Sequence, residues 1–232
     1  MDTPLRPWRT RLRRVVFWGA LAVLVVPPLQ CLLLTVVDPP LTGTMLSRAL
    51  RHRWQEDEWR WPERTWVDLA DLPAHVARAA VASEDRGFVH HRGFDWGAIR
   101  GAWRRYQDGS GKRLAGGSTI SQQVARNVFL WQHRSWLRKG LEAWYTVWLE
   151  VFVSKRRILE VYVNIAELGP MVFGVEAAAQ HWYRQPARTL RPEQAARLIA
   201  ILPAPNRWTP TSAPAVRRAD WIARNPVRRL DW

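Results

Sequence analysis

Apolar positions along this chain fall into two regimes. From Val15 to Val37 runs a 23-residue stretch without a charge, its one strongly polar side chain being Gln30. That is long enough to cross a hydrocarbon core of roughly 30 Å. Beyond it the pattern turns amphipathic with a helical period. Leu72, Val76, Ala79 and Ala80 give one face of a helix that starts at Pro73 and runs to Glu84. Ser118 is placed to cap a helix reaching about Leu130. Leu141, Trp144, Tyr145, Trp148, Leu149 and Phe152 form a full stripe, and Ile158, Val161, Tyr162 and Ile165 repeat it. Further helices are predicted at about 175–182, 192–202 (stopped by Pro203) and 214–224. Strands are hard to find. The pattern predicts a mainly α domain behind one N-terminal transmembrane helix, divided as a basic tail 1–14, a span 15–37, a membrane-proximal segment 38–66 and a folded domain 67–232.

Charge orients the span. Arg6, Arg9, Arg11, Arg13 and Arg14 precede it against Asp2 alone, which holds the N-terminus in the cytoplasm and puts the domain outside. A cleaved signal peptide would have a shorter apolar region and a small-x-small site, which the stretch Thr35–Pro40 does not offer. Pro27-Pro28 predicts a kinked or slightly short helix. The lone Cys31 lies inside the span, so the outer domain relies on an ordinary packed core without disulfides. No CxxC, HExxH or GxGxxG occurs, which leaves structural zinc and a dinucleotide site unsupported.

The formal net charge is +15, of which +4 belongs to residues 1–14 and +11 to the rest. A basic domain suits nucleic acid or an anionic lipid surface. Sixteen Trp and an extracytoplasmic placement favour lipid phosphates and exclude nucleic acid. Thirty-five Lys plus Arg include only three lysines, so part of the charge reflects an arginine-rich composition.

Two segments carry chemistry: Glu84-Asp85-Arg86-Gly87-Phe88-Val89-His90-His91-Arg92-Gly93 and Gly116-Gly117-Ser118-Thr119-Ile120-Ser121-Gln122-Gln123. The first sets adjacent carboxylates where a helix gives way to a turn. The second is a hydroxyl- and amide-rich helix start suited to a many-hydroxyl substrate. In this order and register they resemble the peptidoglycan glycosyltransferase family, whose patterns are E-D-x-x-F-x-x-H-x-G and G-x-S-T-I-x-Q-Q. Arg138-Lys139-Gly140-Leu141-Glu142 resembles its R-K-x-x-E pattern, and 155–164 and 174–179 its fourth and fifth. The resemblance runs from about Val67 to Arg224 and implies a lysozyme-like α-helical fold. The transpeptidase signatures S-x-x-K and K-T-G are absent, so the likeness is to the monofunctional, biosynthetic members.

That resemblance implies polymerisation of lipid II, joining a GlcNAc 4-hydroxyl to the anomeric carbon of a lipid-linked donor with inversion and loss of lipid pyrophosphate. The hydroxyl wants a carboxylate base, and the leaving pyrophosphate wants positive charge. Glu84 stands at the base's position, with Asp85 holding the turn. Glu142, at the border of the apolar stripe beside Leu149, is expected to assist pyrophosphate departure, directly or through a divalent ion (Mg or Mn). No recognisable metal-ligand set occurs. The expected cations are Arg126, Arg134, Arg138, Lys139 and Lys155, with Arg126 replacing the lysine of Q-Q-x-x-K-N. Ser118, Thr119, Gln122 and Gln123 are expected to line the sugar cleft, and Tyr162 and Asn164 to be scaffold. The expected partners are lipid II, the lipid-linked growing glycan, the inner (cytoplasmic) membrane and other cell-wall synthesis proteins. A lysozyme-like lytic enzyme that cuts peptidoglycan is the rival, but neutral glycosidic bonds have no use for a cationic cluster. A non-catalytic anchor protein would not need both carboxylates at motif positions.

Overall fold

The computed structural model describes residues 7–109, 117–133, 135–227 and 229–230, with the side chains of 7–10 excepted. The described residues are mainly helical. α1 (Pro7–Leu34) is followed by α2 (Gly43–Glu56), β1 (Glu63–Arg64), α3 (Ala74–Glu84), α4 (Trp96–Gln107), α5 (Ile120–Phe129), α6 (Trp136–Phe152) and α7 (Lys155–Ile165). Next come β2 (Glu167–Gly169), β3 (Val172–Phe173), α8 (Val175–Tyr183), a single 3-10 turn, α9 (Pro192–Ala200) and α10 (Ala213–Arg224). A miniature sheet of order β1-β3-β2, absent from the sequence expectation, closes one side. β1 pairs parallel and β2 antiparallel to β3.

α5 and α7 form the middle of the domain, and α3, α9 and α10 stack on one flank. Ile120, Val124, Ile158, Leu159, Val161, Ile165, Val76 and Ala80 are all sealed from solvent there. Tight spacing between α7 and α8 depends on Gly174. Its φ is +80°, and a Cβ there would lie 2.7 Å from the Asn164 carbonyl oxygen.

Two expectations are corrected. The stretch 38–66 is not merely an approach to the domain. Thr42 caps α2 by accepting from Met45 N, and Met45 and Ala49, one turn apart, are buried in the core. Arg48 reaches across to Glu167 at the start of β2 (2.7 Å). The packing therefore begins well before Val67. α4 was missed altogether, because only Ala102 on it is buried while Trp96, Trp103 and Tyr106 face outward. The helix of the apolar stretch stops at Leu34, three residues short of Val37, where Thr35 turns back to donate to the Leu32 carbonyl and Arg157 Nε caps the Leu34 carbonyl (3.1 Å).

α1 passes continuously through Pro27 and Pro28. Proline has no N–H, so Pro27 leaves the carbonyl of Val23 without its helical donor. That carbonyl instead accepts from Trp144 Nε1 of α6 at 2.8 Å. Tyr145 on the same helix donates to Gln30 Oε1 (2.5 Å), and Cys31 and Leu34 are buried against the domain. Outward residues of α1, from Val15 to Leu33, stay exposed and apolar, as a lipid-facing helix requires.

Candidate active site

The site begins at the last turn of α3, where the helix ends with Glu84 and Asp85 turns away as its cap. Asp85 is buried. Its carboxylate takes His91 Nε2 (2.9 and 3.0 Å) and the backbone N–H of Ile120 (2.9 Å), so it pins the first motif to the head of α5. Phe88 is fully buried beneath the turn. Gly93 (φ +82°) passes so close to α6 that a Cβ would meet Thr146 Cγ2 at 2.7 Å, and its carbonyl accepts from Thr119 Oγ1 at 2.6 Å.

Glu84 itself points into a polar cavity of about 250 Å³ walled by Ser83, Arg86, Asp95, Ser118 and Trp221. Three donors hold its carboxylate. Ser83 Oγ (3.0 Å) and Arg218 Nη2 (2.8 Å) both meet Oε1, and Gln123 Nε2 meets Oε2 (3.1 Å). Gln123 is aimed in turn by Tyr162, whose hydroxyl donates to Gln123 Oε1 (3.4 Å). Burial, reinforced by the charge of Glu84, pushes the Tyr162 phenol well above its usual range despite Arg126 and Arg218. Tyr162 is therefore a neutral donor.

A second polar cavity of about 180 Å³ opens on the other side of Gln123. Arg126, Asn127, Gln132, Thr44 and Glu167 line it. Arg126 Nε donates to Asn127 Oδ1 (3.3 Å). Burial raises the Glu167 carboxyl, only partly offset by Arg48.

The structure divides the residues expected at the site. Ser118 and Thr119 line the first cavity, and Gln123 and Arg126 the second. The helix cap is Thr119 rather than Ser118: Thr119 Oγ1 accepts from Gln122 N while Gln122 Oε1 accepts from Thr119 N (3.0 Å), a reciprocal capping box. Both side chains are buried and occupied there, which frees Ser118 for the cavity. Glu142 is 1% exposed on α6, and its oxygens are held by Arg138 Nη1 (3.1 Å) and Lys139 Nζ. It lines neither cavity. Lys155 is likewise engaged, with Glu150 (2.8 Å) and over the Phe88 ring (4.6 Å). Arg134, Gly116 and Trp232 lie outside the described residues.

Sequence reasoning missed Arg218 and Trp221, which reach the site from α10. Nothing near them in the chain marks them, since Arg218 meets Glu84 across 134 residues and Trp221 walls the cavity from the same distant helix.

Among the described residues no three His, Cys, Asp or Glu side chains converge on one point. With Glu142 already held by two cations, the described residues offer no carboxylate set that fits a divalent ion.

The transglycosylase family model matches residues 51–227. A biosynthetic peptidoglycan transglycosylase of Xanthomonas euvesicatoria pv. vesicatoria (strain 85-10) is 49% identical over 199 residues, covering 84% of this chain and 79% of its own. Proteins of the same description from Xylella fastidiosa (strain 9a5c) and Ectopseudomonas mendocina (strain ymp) are 44% and 45% identical, each covering 94% of this chain and 88% of their own. The match takes in α3, α5 and α10, the three helices that meet at Glu84, and the chain belongs to the transglycosylase family.

Proposed function

We propose that this protein is a membrane-anchored peptidoglycan glycosyltransferase that polymerises lipid II into glycan strands. The observation that carries the reading is Glu84, a carboxylate oriented by three donors at the wall of a polar cavity, with Arg126 in a second cavity just beyond Gln123. The acceptor's 4-hydroxyl enters the first cavity, and Glu84 takes its proton as the oxygen attacks the donor's anomeric carbon. The carbon–oxygen bond to the lipid pyrophosphate breaks on the opposite face, which inverts the centre. Arg126 stabilises the charge that develops on the departing pyrophosphate, in a cavity whose amides and hydroxyls (Gln123, Asn127, Gln132, Thr44, Tyr162) suit a saccharide and whose one carboxyl, Glu167, is paired with Arg48. Arg138 and Lys139 add cationic charge on α6, and Glu142 acts through them as a positioning residue rather than by touching the phosphates. Ser118 bonds acceptor hydroxyls. Arg9, Arg11, Arg13 and Arg14, at the start of α1 and before its apolar stretch, favour a cytoplasmic N-terminus in the inner membrane, with the domain on the periplasmic face.

A lytic activity on finished peptidoglycan is not favoured, because the described relatives are biosynthetic and Arg126 has no task in cutting a neutral bond. The test uses purified full-length protein with labelled lipid II. Wild type should give polymer and free lipid pyrophosphate. Glu84→Gln, isosteric but unable to take a proton, should lose roughly 10²–10⁴-fold while remaining folded. Soluble disaccharide without polymer, or a Glu84→Gln enzyme at a tenth of wild-type rate, would remove this reading.

A further inference from the structure

We propose that Arg218, on the C-terminal helix and outside every sequence motif, is a positioning residue that fixes which oxygen of Glu84 receives the proton. This rests on Glu84 being the general base. A carboxylate offers about four lone-pair sites, two on each oxygen. On Oε1 both are taken, by Ser83 Oγ at 3.0 Å and Arg218 Nη2 at 2.8 Å. On Oε2, among the described residues, Gln123 Nε2 alone is bound, at 3.1 Å. One site on Oε2 remains, and it is the atom that takes the acceptor's proton.

Arg218 is well placed to hold this arrangement. The same Nη2 also donates to the backbone carbonyl (3.2 Å) and hydroxyl (2.9 Å) of Ser83, so one nitrogen grips both the residue before the base and the base itself. Ser83 alone cannot enforce the orientation, because its hydroxyl rotates freely. A planar guanidinium on a packed helix can. The helix is itself stapled to the first motif: Arg86 Nη1 donates to the Asn225 carbonyl (2.9 Å) and its guanidinium stands 5.9 Å over the Trp221 ring. Ala215, Ala219 and Ile222 bury the other face of α10. Its consequence is that the base, at the end of α3, is aimed by a helix more than 130 residues away.

The proton transfer balances simply. The acceptor O–H bond breaks, Glu84 Oε2–H forms, and the oxygen's electron pair makes the new glycosidic bond while pyrophosphate leaves with its own pair. Arg218 keeps its protons throughout.

The experiment compares Arg218→Ala, Arg218→Lys and Ile222→Val in the full-length protein, with Glu84→Gln as reference, by steady-state lipid II polymerisation and thermal midpoint. Losing aim without losing contact with substrate should lower kcat of Arg218→Ala by about 10- to 100-fold and leave KM within about two-fold. Arg218→Lys should recover part of the loss. Millimolar guanidinium should partly rescue Arg218→Ala and leave Glu84→Gln dead. Ile222→Val loosens the same helix, so it should lower the midpoint and keep kcat. If Glu84→Gln is inactive but Arg218→Ala keeps wild-type kcat, or loses through KM alone, the proposal falls and the function stands. If Glu84→Gln remains active, the reading of the base fails and takes this proposal with it.

Discussion

Gln122 and Gln123 have the same side chain and opposite duties, and the difference is one step of about 100° around a helix. Gln122 faces inward and closes the capping box with Thr119, while Gln123 turns to the cavity and donates to Glu84. Their variants should therefore separate stability from turnover. Gln122→Ala removes a cap and should cost roughly 0.5–2 kcal/mol, lowering the thermal midpoint with little change in kcat per folded molecule. Gln123→Ala leaves α5 capped, so its midpoint should hold while polymerisation drops, because Oε2 of Glu84 loses its donor and Tyr162 its acceptor. Measuring both quantities on both variants decides the matter, and matched losses of activity would return Gln122 to the site. The sequence showed which residue types belong here and not which of them face substrate. Ser118 and Thr119 were exchanged for the same reason. Either hydroxyl suits an N-cap, and only the backbone's entry angle, fixed by Gly93 and Asp85 from the other motif, selects Thr119.

Helices with a one-sided apolar stripe were readable from spacing alone, and α3, α5, α6, α7, α8, α9 and α10 all lie where the period put them, give or take a few residues at the ends. α4 was not, since a helix that buries only Ala102 leaves no stripe to read. α2 left little stripe to read, because its one tryptophan, Trp54, faces outward and its buried contribution is just Thr44, Met45 and Ala49. The contact of α10 with Glu84 was illegible for another reason: ion pairs between distant segments leave no periodic trace. The kink expected at Pro27-Pro28 shows a related limit. Sequence gives the missing N–H, and only the fold supplies the indole that replaces it. A carbonyl facing lipid without a donor is costly, so Trp144→Phe, which keeps the ring but not the N–H, should destabilise the detergent-solubilised protein by roughly 1–3 kcal/mol. Pro27→Ala restores a backbone donor to Val23. In that background the same Trp144→Phe change should cost little, and the double-mutant cycle on thermal midpoints should show a coupling of similar size. Simple additivity would mean that the 2.8 Å contact contributes nothing.

At the scale of the molecule, the question is whether α1 is a tether or a structural element of the domain it carries. A tether would leave the domain's core intact when removed. Here the outer half of α1 enters that core: Cys31 and Leu34 are buried, Gln30 accepts from Tyr145, and Arg157 joins the Leu34 carbonyl to Asp38 (2.7 Å) and to Glu160 of its own helix. α6, the helix that receives α1, also bears Arg138, Lys139 and Glu142 near its start. Removing α1 thus uncovers the face of the helix that positions those cations. Two buried side chains at about 1.5–3 kcal/mol each and three hydrogen bonds at roughly 0.5–1.5 each put the loss at roughly 5–10 kcal/mol. For a chain of this size that corresponds to a drop of roughly 10–40 °C in thermal midpoint. A protein beginning at Thr35 should show this drop against the full chain in the same detergent, and should polymerise lipid II more slowly even when substrate is supplied in micelles, where no anchor is needed. Equal midpoints and equal micellar rates would make α1 a tether and nothing more. Detergent shielding of the bared α6 face would mimic that result, so the comparison is repeated with Tyr145→Phe in both lengths. If α1 packs as described, the lost hydroxyl should lower the midpoint of the full chain, where it binds Gln30, and leave the shortened one unchanged.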